Sequence, residues 1–204
     1  MHKNLTNKKL PKNFYQKDPV KLAPKLLGKI MVRKLGSKYL TGKIVEVEAY
    51  RGKDDQAAHT YSGKTKRNEV MFREGGYLYV YFTYGMHFCS NIVCDKKDEG
   101  AAVLIRAIEP IEEIETMAFN RYGKNIISEK EKINLTNGPA KLCEALKIKR
   151  EENGLDLTKE QIFLIEGEKI PKQEIVVTKR IGIKKSVELP WRFYIKDNPY
   201  VSQK

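Results

Sequence analysis

The sequence predicts a single α+β domain built around a mostly antiparallel sheet. Strand-like runs outnumber the helical patterns, and several of them follow one another across short turns, as paired antiparallel strands do. The chain has 204 residues, which suits one domain with a proper core. Because no internal repeat or linker divides the sequence, we expect one folded unit.

The chain is predicted to have two parts, an N-terminal arm and a folded domain. Residues 1–17 are basic and are expected to form a flexible arm, whereas residues 18–204 are expected to form the domain. The domain should begin with a short helix over residues 18–28, because Asp18 suits an N-cap and Gly28 suits a helix end.

The rest of the pattern predicts a strand-rich fold with two further helices. A hairpin is expected with its tight turn at Tyr84 and Gly85, and the nearly continuous apolar run over residues 100–110 predicts a central strand. A polar connection is expected over residues 123–134. Strands are predicted over residues 29–35, 39–50, 77–82, 87–94, 100–110, 162–167, 174–183 and 191–195, and helices over 111–123 and 136–148.

Charge and cysteine content narrow the class of protein. The net charge is +13, with 39 Lys and Arg against 26 Asp and Glu, which favours a polyanionic partner unless the chain is simply lysine-rich. Cys89, Cys94 and Cys143 lack the spacing of zinc ligands or of a disulfide framework, so we expect core thiols in a reducing compartment. No apolar run suits a membrane helix and no signal-peptide pattern is present, so a cytoplasmic protein without a membrane partner is expected.

A candidate site lies in the stretch VEVEAYRGKDDQAAH, which begins at Val45. Side chains two apart on a strand share a face, so Glu46, Glu48 and Tyr50 should point the same way. This face is either a solvated edge or the lining of a site, and strand geometry does not choose between the two carboxylates. Arg106 interrupts an apolar strand, where a buried charge needs a partner.

Five blocks of the sequence resemble the alkyladenine DNA glycosylases, the mammalian type of 3-methyladenine DNA glycosylase. In chain order they are EAYRGKDDQAAH, MFREGGYLYVYFTYGMHFCSNIV, GAAVLIRAIEP, NGPAKLCEALKI and RIGI followed by PWRFYI. The resemblance implies a mixed α/β domain with an antiparallel sheet and a protruding hairpin that inserts into DNA. It also implies a monofunctional glycosylase that excises alkylated or deaminated purines from double-stranded DNA, acting as a monomer without metal or cofactor, associated with the nucleoid.

The same resemblance assigns roles to individual residues. Glu48 matches the carboxylate that activates water, and Arg106 matches the arginine that helps to hold that water. The residues expected to hold the extruded base are Tyr50, His59 and Tyr81, with Asn91 opposing the amino group of guanine. The residues expected to contact DNA are Tyr84, which would enter the minor groove, together with Met86, His87, Gly182 and Ile183. Arg67 is added from the basic run KTKR, which is either a solvated loop or a phosphate contact.

The chemistry of base excision explains why these residue types would be needed. The base must leave the duplex, and flat side chains repay the lost stacking. A carboxylate near C1′ would stabilise an oxocarbenium-like transition state and take a proton from water. By default, Tyr77 and Tyr79 are expected to be sheet packing rather than base readers.

Two other functions fit part of the pattern. A non-catalytic protein could use the basic surface and the aromatic hairpin to bind RNA or distorted DNA, although it would not need Glu48 and Arg106. A glycosylase with lyase activity would need a nucleophilic lysine. No lysine is among the residues assigned to the pocket, although Lys43 and Lys53 are close to them in sequence.

Overall fold

An open eight-stranded sheet organises the described part of the chain, residues 8–83, 85–159 and 161–202 of the computed structural model. The strands are β1 (Ile30–Leu35), β2 (Lys38–Arg51), β3 (Leu78–Thr83), β4 (His87–Cys94), β5 (Ala101–Glu112), β6 (Ile162–Ile165), β7 (Ile175–Thr178) and β8 (Arg192–Ile195). The helices are α1 (Lys12–Tyr15), α2 (Pro19–Leu26), α3 (Ile114–Tyr122), α4 (Glu129–Asn134) and α5 (Pro139–Ala145). The α+β fold class predicted from the sequence is confirmed.

Strand β2 is the organising element of the sheet. The main path of the sheet runs β3-β4-β5-β2-β1-β6, with β8 also paired to β2 and β7 paired to β8. Along one edge β2 pairs first with β1 and then with β8, and along the other edge it pairs with β5. All these pairings are antiparallel, so β2 has hydrogen-bonded neighbours on both sides at the position of the candidate carboxylates.

The pairing of β2 with β5 is irregular near those carboxylates. The register shifts on both sides of Glu46, between Ile44 and Glu46 and between Glu46 and Val47. Such irregularities bend a strand and change the direction of its side chains. Glu46 and Glu48 nevertheless lie on the same side of the sheet, because both contact Arg106 of β5.

Residues 8–17 pack on the domain, so the flexible arm predicted for residues 1–17 is wrong for this part of it. Tyr15 is fully buried and Leu10 is 3% exposed. The Leu10 amide donates to the carbonyl of Leu164 at 2.8 Å, which continues the edge of the sheet. Burial of apolar surface explains why these residues are ordered. Residues 1–7 lie outside the described residues.

Three other predictions need correction at their boundaries. The connection over residues 123–134 contains α4, where Ser128 and Glu131 form a capping box. The strand predicted over residues 174–183 ends at Thr178, and the chain then leaves the sheet. Residues 111–112 continue β5 instead of beginning a helix. Among the described ranges, no helix has the length and apolar character needed to cross a membrane.

Candidate active site

A cavity of about 570 Å³ opens beside the β3–β4 hairpin. Its walls come from strands β2, β3, β4 and β5, from residues 56–59 and 181–185 outside the sheet, and from Arg67, Met71 and Pro139. Pockets for small ligands usually have volumes of about 300–1,000 Å³. The cavity therefore has room for one planar group of moderate size.

Glu48 lies directly behind the wall of this cavity. Its side chain is fully buried, and its carboxylate accepts hydrogen bonds from the Tyr50 hydroxyl at 2.9 Å and the Ile181 amide at 2.7 Å. Its Oε1 also lies 3.3 Å from Nη1 of Arg106. Tyr50, Ile181 and Arg106 all line the cavity, whereas Glu48 itself does not. Glu48 thus contacts three residues that line the cavity.

Glu46 is equally buried but has different neighbours. One of its oxygens, Oε1, accepts from Nε of Arg106 at 2.9 Å and from Nε of Arg192 at 2.7 Å. The amide and hydroxyl of Ser202 donate to the same carboxylate at 2.7 and 2.9 Å. Glu46 is thus tied to β8 and the C-terminal segment, and Glu48 to the cavity wall. This difference separates two carboxylates that strand periodicity treats as equivalent.

Arg106 connects the two carboxylates and faces the cavity. The residue is only 7% exposed, and the sequence-based expectation that its charge needs a partner is confirmed. Burial alone would lower the pKa of Arg106, but Glu48 and Glu46 outweigh burial and raise it. The guanidinium is therefore a fixed positive charge beside Glu48.

Aromatic rings form one wall of the cavity. The rings of His59 and Tyr81 have centroids 4.5 Å apart and meet edge to face, while Tyr79 stacks on Tyr81 at 5.7 Å. Nδ1 of His59 lies 3.1 Å from the Tyr79 hydroxyl. Desolvation, with the nearby charge of Arg67, lowers the pKa of His59, so the ring is neutral at pH 7. Tyr79, expected to be sheet packing, is 1% exposed and also lines the cavity.

The ring of Tyr50 is held from behind by a buried ion pair. The guanidinium of Arg180 lies 4.6 Å from the Tyr50 ring centroid and 5.2 Å from that of Trp191. Two nitrogens of Arg180 bind both oxygens of Asp55, at 2.5 and 2.8 Å, and both side chains are fully buried. Burial and the charge of Glu48 raise the pKa of Tyr50 well above its ordinary value, so its hydroxyl remains a donor.

Asn91 and Cys89 complete the side of the cavity formed by β4. Asn91 is 5% exposed, and its Nδ2 donates to the carbonyl of Tyr79 at 3.2 Å. Burial is the main reason why the pKa of the Cys89 thiol is raised, so this cysteine is a neutral wall group and not a nucleophile. Asn91 lies in the cavity wall, and its role in selecting bases stays a prediction.

The residues predicted to contact DNA are divided by the structure. Arg67, Gly182 and Ile183 line the cavity. Met86 lies at the end of the hairpin and is 70% exposed. Tyr84, predicted to enter the minor groove, lies outside the described residues.

His87 does not line the cavity. Two lysines that line it were not predicted from the sequence. Nδ1 of His87 is 3.2 Å from a carboxylate oxygen of Glu144 in α5. Lys184 and Lys185 line the cavity and are exposed, although the sequence analysis placed no lysine at the pocket. The signal for them was available, because they follow directly after the matched RIGI block.

The cavity can hold a planar group, it is backed by a buried carboxylate–arginine pair, and basic residues line it. These are the features of an enzyme that acts on a base extruded from nucleic acid. A sequence profile of the methylpurine-DNA glycosylase family matches residues 13–199, and the chain belongs to that family. A protein of Clostridium novyi is 51% identical over 203 residues, which cover 97% of this chain and 100% of the relative. A protein of Alkaliphilus oremlandii is 48% identical over 202 residues, covering 96% of this chain and 100% of the relative. Both relatives are provisionally named 3-methyladenine DNA glycosylase. This chain is a DNA glycosylase, and its substrate is DNA.

Proposed function

We propose that the enzyme extrudes a damaged purine from double-stranded DNA into the cavity and releases it by hydrolysis, leaving an abasic site. The proposed substrates are 3-methyladenine, which appears in the names of the relatives, and also 7-methylguanine, ethenoadenine and hypoxanthine. The observation that carries the proposal is the contact between Glu48 and Arg106 behind an aromatic cavity of about 570 Å³. Action as a monomer is part of the proposal, as the family resemblance implies.

In the proposed reaction, the extruded base lies against Tyr50 on one side and against His59 and Tyr81 on the other. The bond between C1′ and the base breaks, its electron pair leaves with the base, and the sugar becomes oxocarbenium-like. A water molecule adds to C1′ while Glu48 accepts its proton. Arg106 orients the carboxylate and the water by its fixed charge.

Hydrolysis and lyase chemistry are distinguished by the product. A duplex with one hypoxanthine or one ethenoadenine is incubated with the protein, and each sample is then divided between hot alkali and no treatment. We expect strand breaks only after alkali, and no covalent complex when borohydride is added. Breaks without alkali, together with a trapped complex, would instead show that an amine acts as a nucleophile, with Lys184 and Lys185 as the candidates in the cavity lining.

We expect DNA affinity to fall steeply with salt, because the net charge of +13 must meet phosphates. Lys184→Gln should reduce the slope of log K against log salt by about 1, the effect of one lost phosphate contact. Lys172→Gln changes an exposed lysine outside the cavity lining and serves as the matched control. The measurement is a titration of labelled duplex at several salt concentrations. A flat plot, or equal effects of the two variants, would remove the electrostatic argument.

Replacement of Asn91 by Ser is expected to relax the rejection of guanine. Asn91 lies in the wall, and a smaller side chain would leave room for an exocyclic amino group. The ratio of guanine or alkylguanine release to hypoxanthine release should therefore rise. Asn153→Ser is the control, because Asn153 supports β3 by accepting from the Val80 amide and does not line the cavity. An unchanged ratio in Asn91→Ser would assign Asn91 a structural role.

A further inference from the structure

The C-terminal segment reaches the back of the candidate active site through Ser202. The Ser202 hydroxyl donates to Oε1 of Glu46 at 2.9 Å and accepts from Nη2 of Arg106 at 3.1 Å. The Ser202 amide binds the other oxygen of Glu46 at 2.7 Å. A residue 96 positions from Arg106 in the chain therefore takes part in the same buried polar cluster.

Arg106 uses three nitrogens in three directions. Its Nε binds Glu46, its Nη2 binds the Ser202 hydroxyl, and its Nη1 lies 3.3 Å from Glu48. The guanidinium is planar, so two fixed nitrogens determine where the third one points. The contacts to Glu46 and Ser202 thus set the direction of the nitrogen that faces Glu48.

We propose that Ser202 is a positioning residue for base release, which it serves by holding Arg106 in the orientation that supports Glu48. The proposal rests on the proposed function, because it assigns Ser202 to the same reaction. Ser202 does not line the cavity, so in this proposal it acts through Arg106.

The hydroxyl can be separated from the attachment of the segment. Tyr200 and Val201 are 8% and 6% exposed, so the segment is anchored by burial on the domain. The Ser202 amide keeps its bond to Glu46 whatever side chain is present. Loss of the hydroxyl alone should therefore release Nη2 of Arg106 and loosen the orientation of its guanidinium without detaching the C-terminal segment.

The test uses the full chain, single-turnover base release from a duplex with one hypoxanthine, and separate measurements of DNA affinity and unfolding temperature. Ser202→Ala should slow base release by about tenfold, as expected for a lost hydrogen bond to a charged group, with DNA affinity unchanged. Ser202→Thr keeps a hydroxyl and should restore the rate to within about twofold of the parent enzyme.

Ser128→Ala is the matched control, because it removes a helix-capping hydroxyl at α4. It should lower the unfolding temperature and leave base release unchanged.

A double-mutant cycle with Arg106→Lys tests whether Ser202 acts through Arg106. Lysine keeps the charge but lacks the planar fork, so Ser202→Ala should add less than about twofold in that background. The same tenfold loss in both backgrounds, or a full rate in Ser202→Ala alone, would overturn the positioning role. If the parent enzyme releases no base from hypoxanthine-containing or methylated DNA, the proposed function fails as well. Activity of the parent enzyme together with either of the first two results overturns the role of Ser202 alone.

Discussion

Replacement of Glu48 by Gln is expected to lower the rate of base release by a factor on the order of 10² to 10⁴, the usual contribution of a general base. Glutamine has nearly the same size and can still accept hydrogen bonds from the Tyr50 hydroxyl and the Ile181 amide. It lacks the negative charge that faces the sugar cation and cannot take a proton from water. Affinity for DNA should hold or rise slightly, because a negative charge near phosphates is removed. Single-turnover release and a binding titration measure the two effects separately.

Glu46→Gln is the matched comparison for Glu48→Gln. Both carboxylates are fully buried on the same strand and both contact Arg106. Glu46 also binds Arg192, so its neutralisation removes a negative charge that two buried guanidinium groups share. Breaking such a cluster costs about 3–5 kcal/mol of stability. We therefore expect Glu46→Gln to lower the unfolding temperature and to retain much more activity than Glu48→Gln. The reverse result would move the general base to Glu46.

The second large effect is expected from Asp55→Ala. Arg180 would remain fully buried without its carboxylate partner, and such a loss costs about 3–5 kcal/mol. Arg180 also lies against the ring of Tyr50, so the wall that receives the base should lose its fixed position. The unfolding temperature should fall, and the concentration of DNA needed for half-maximal release should rise.

Asp54→Ala provides the control for this prediction. Asp54 precedes Asp55 in the same loop but is exposed, so its removal should leave stability and activity nearly unchanged. If Asp55→Ala unfolds at the same temperature as Asp54→Ala, the buried ion pair does not hold the loop. If its stability falls but base capture from DNA is normal, Arg180 supports the fold and not the position of Tyr50.

Local patterns predicted the sheet well, because the signals that indicate a strand lie within a few neighbouring residues. Alternation along β2 predicted a shared face for Glu46 and Glu48, and contact with Arg106 confirms it. The capping box at Ser128 and Glu131 is also a local signal, so the missed helix α4 could have been recognised. The burial of Leu10 and Tyr15 depends on surfaces formed by distant strands, which no local pattern describes.

The site was predicted less completely because its contacts join distant parts of the chain. Glu48 meets the amide of Ile181, 133 positions away, and Glu46 meets Ser202, 156 positions away. Together with the bond of Arg192 to Glu46 and that of Tyr50 to Glu48, these contacts give the two carboxylates different surroundings. The ion pair of Asp55 and Arg180 spans 125 positions and has no periodic signal in either segment. The family resemblance pointed to Glu48, but the physical reason for preferring it over Glu46 is tertiary.

The double-sided pairing of β2 implies that different parts of the enzyme open on different timescales. Amide protons of β2 between β5 and β8 should exchange with solvent only when the whole domain unfolds, because their hydrogen bonds lie inside the sheet. Residues 56–59 and 182–185 form cavity walls outside the sheet, so their amides can exchange through local opening. A protease that cuts these walls would therefore abolish capture of the base while the buried cluster around Arg106 stays folded. During limited proteolysis, base release should therefore be lost before the cooperative thermal unfolding transition disappears.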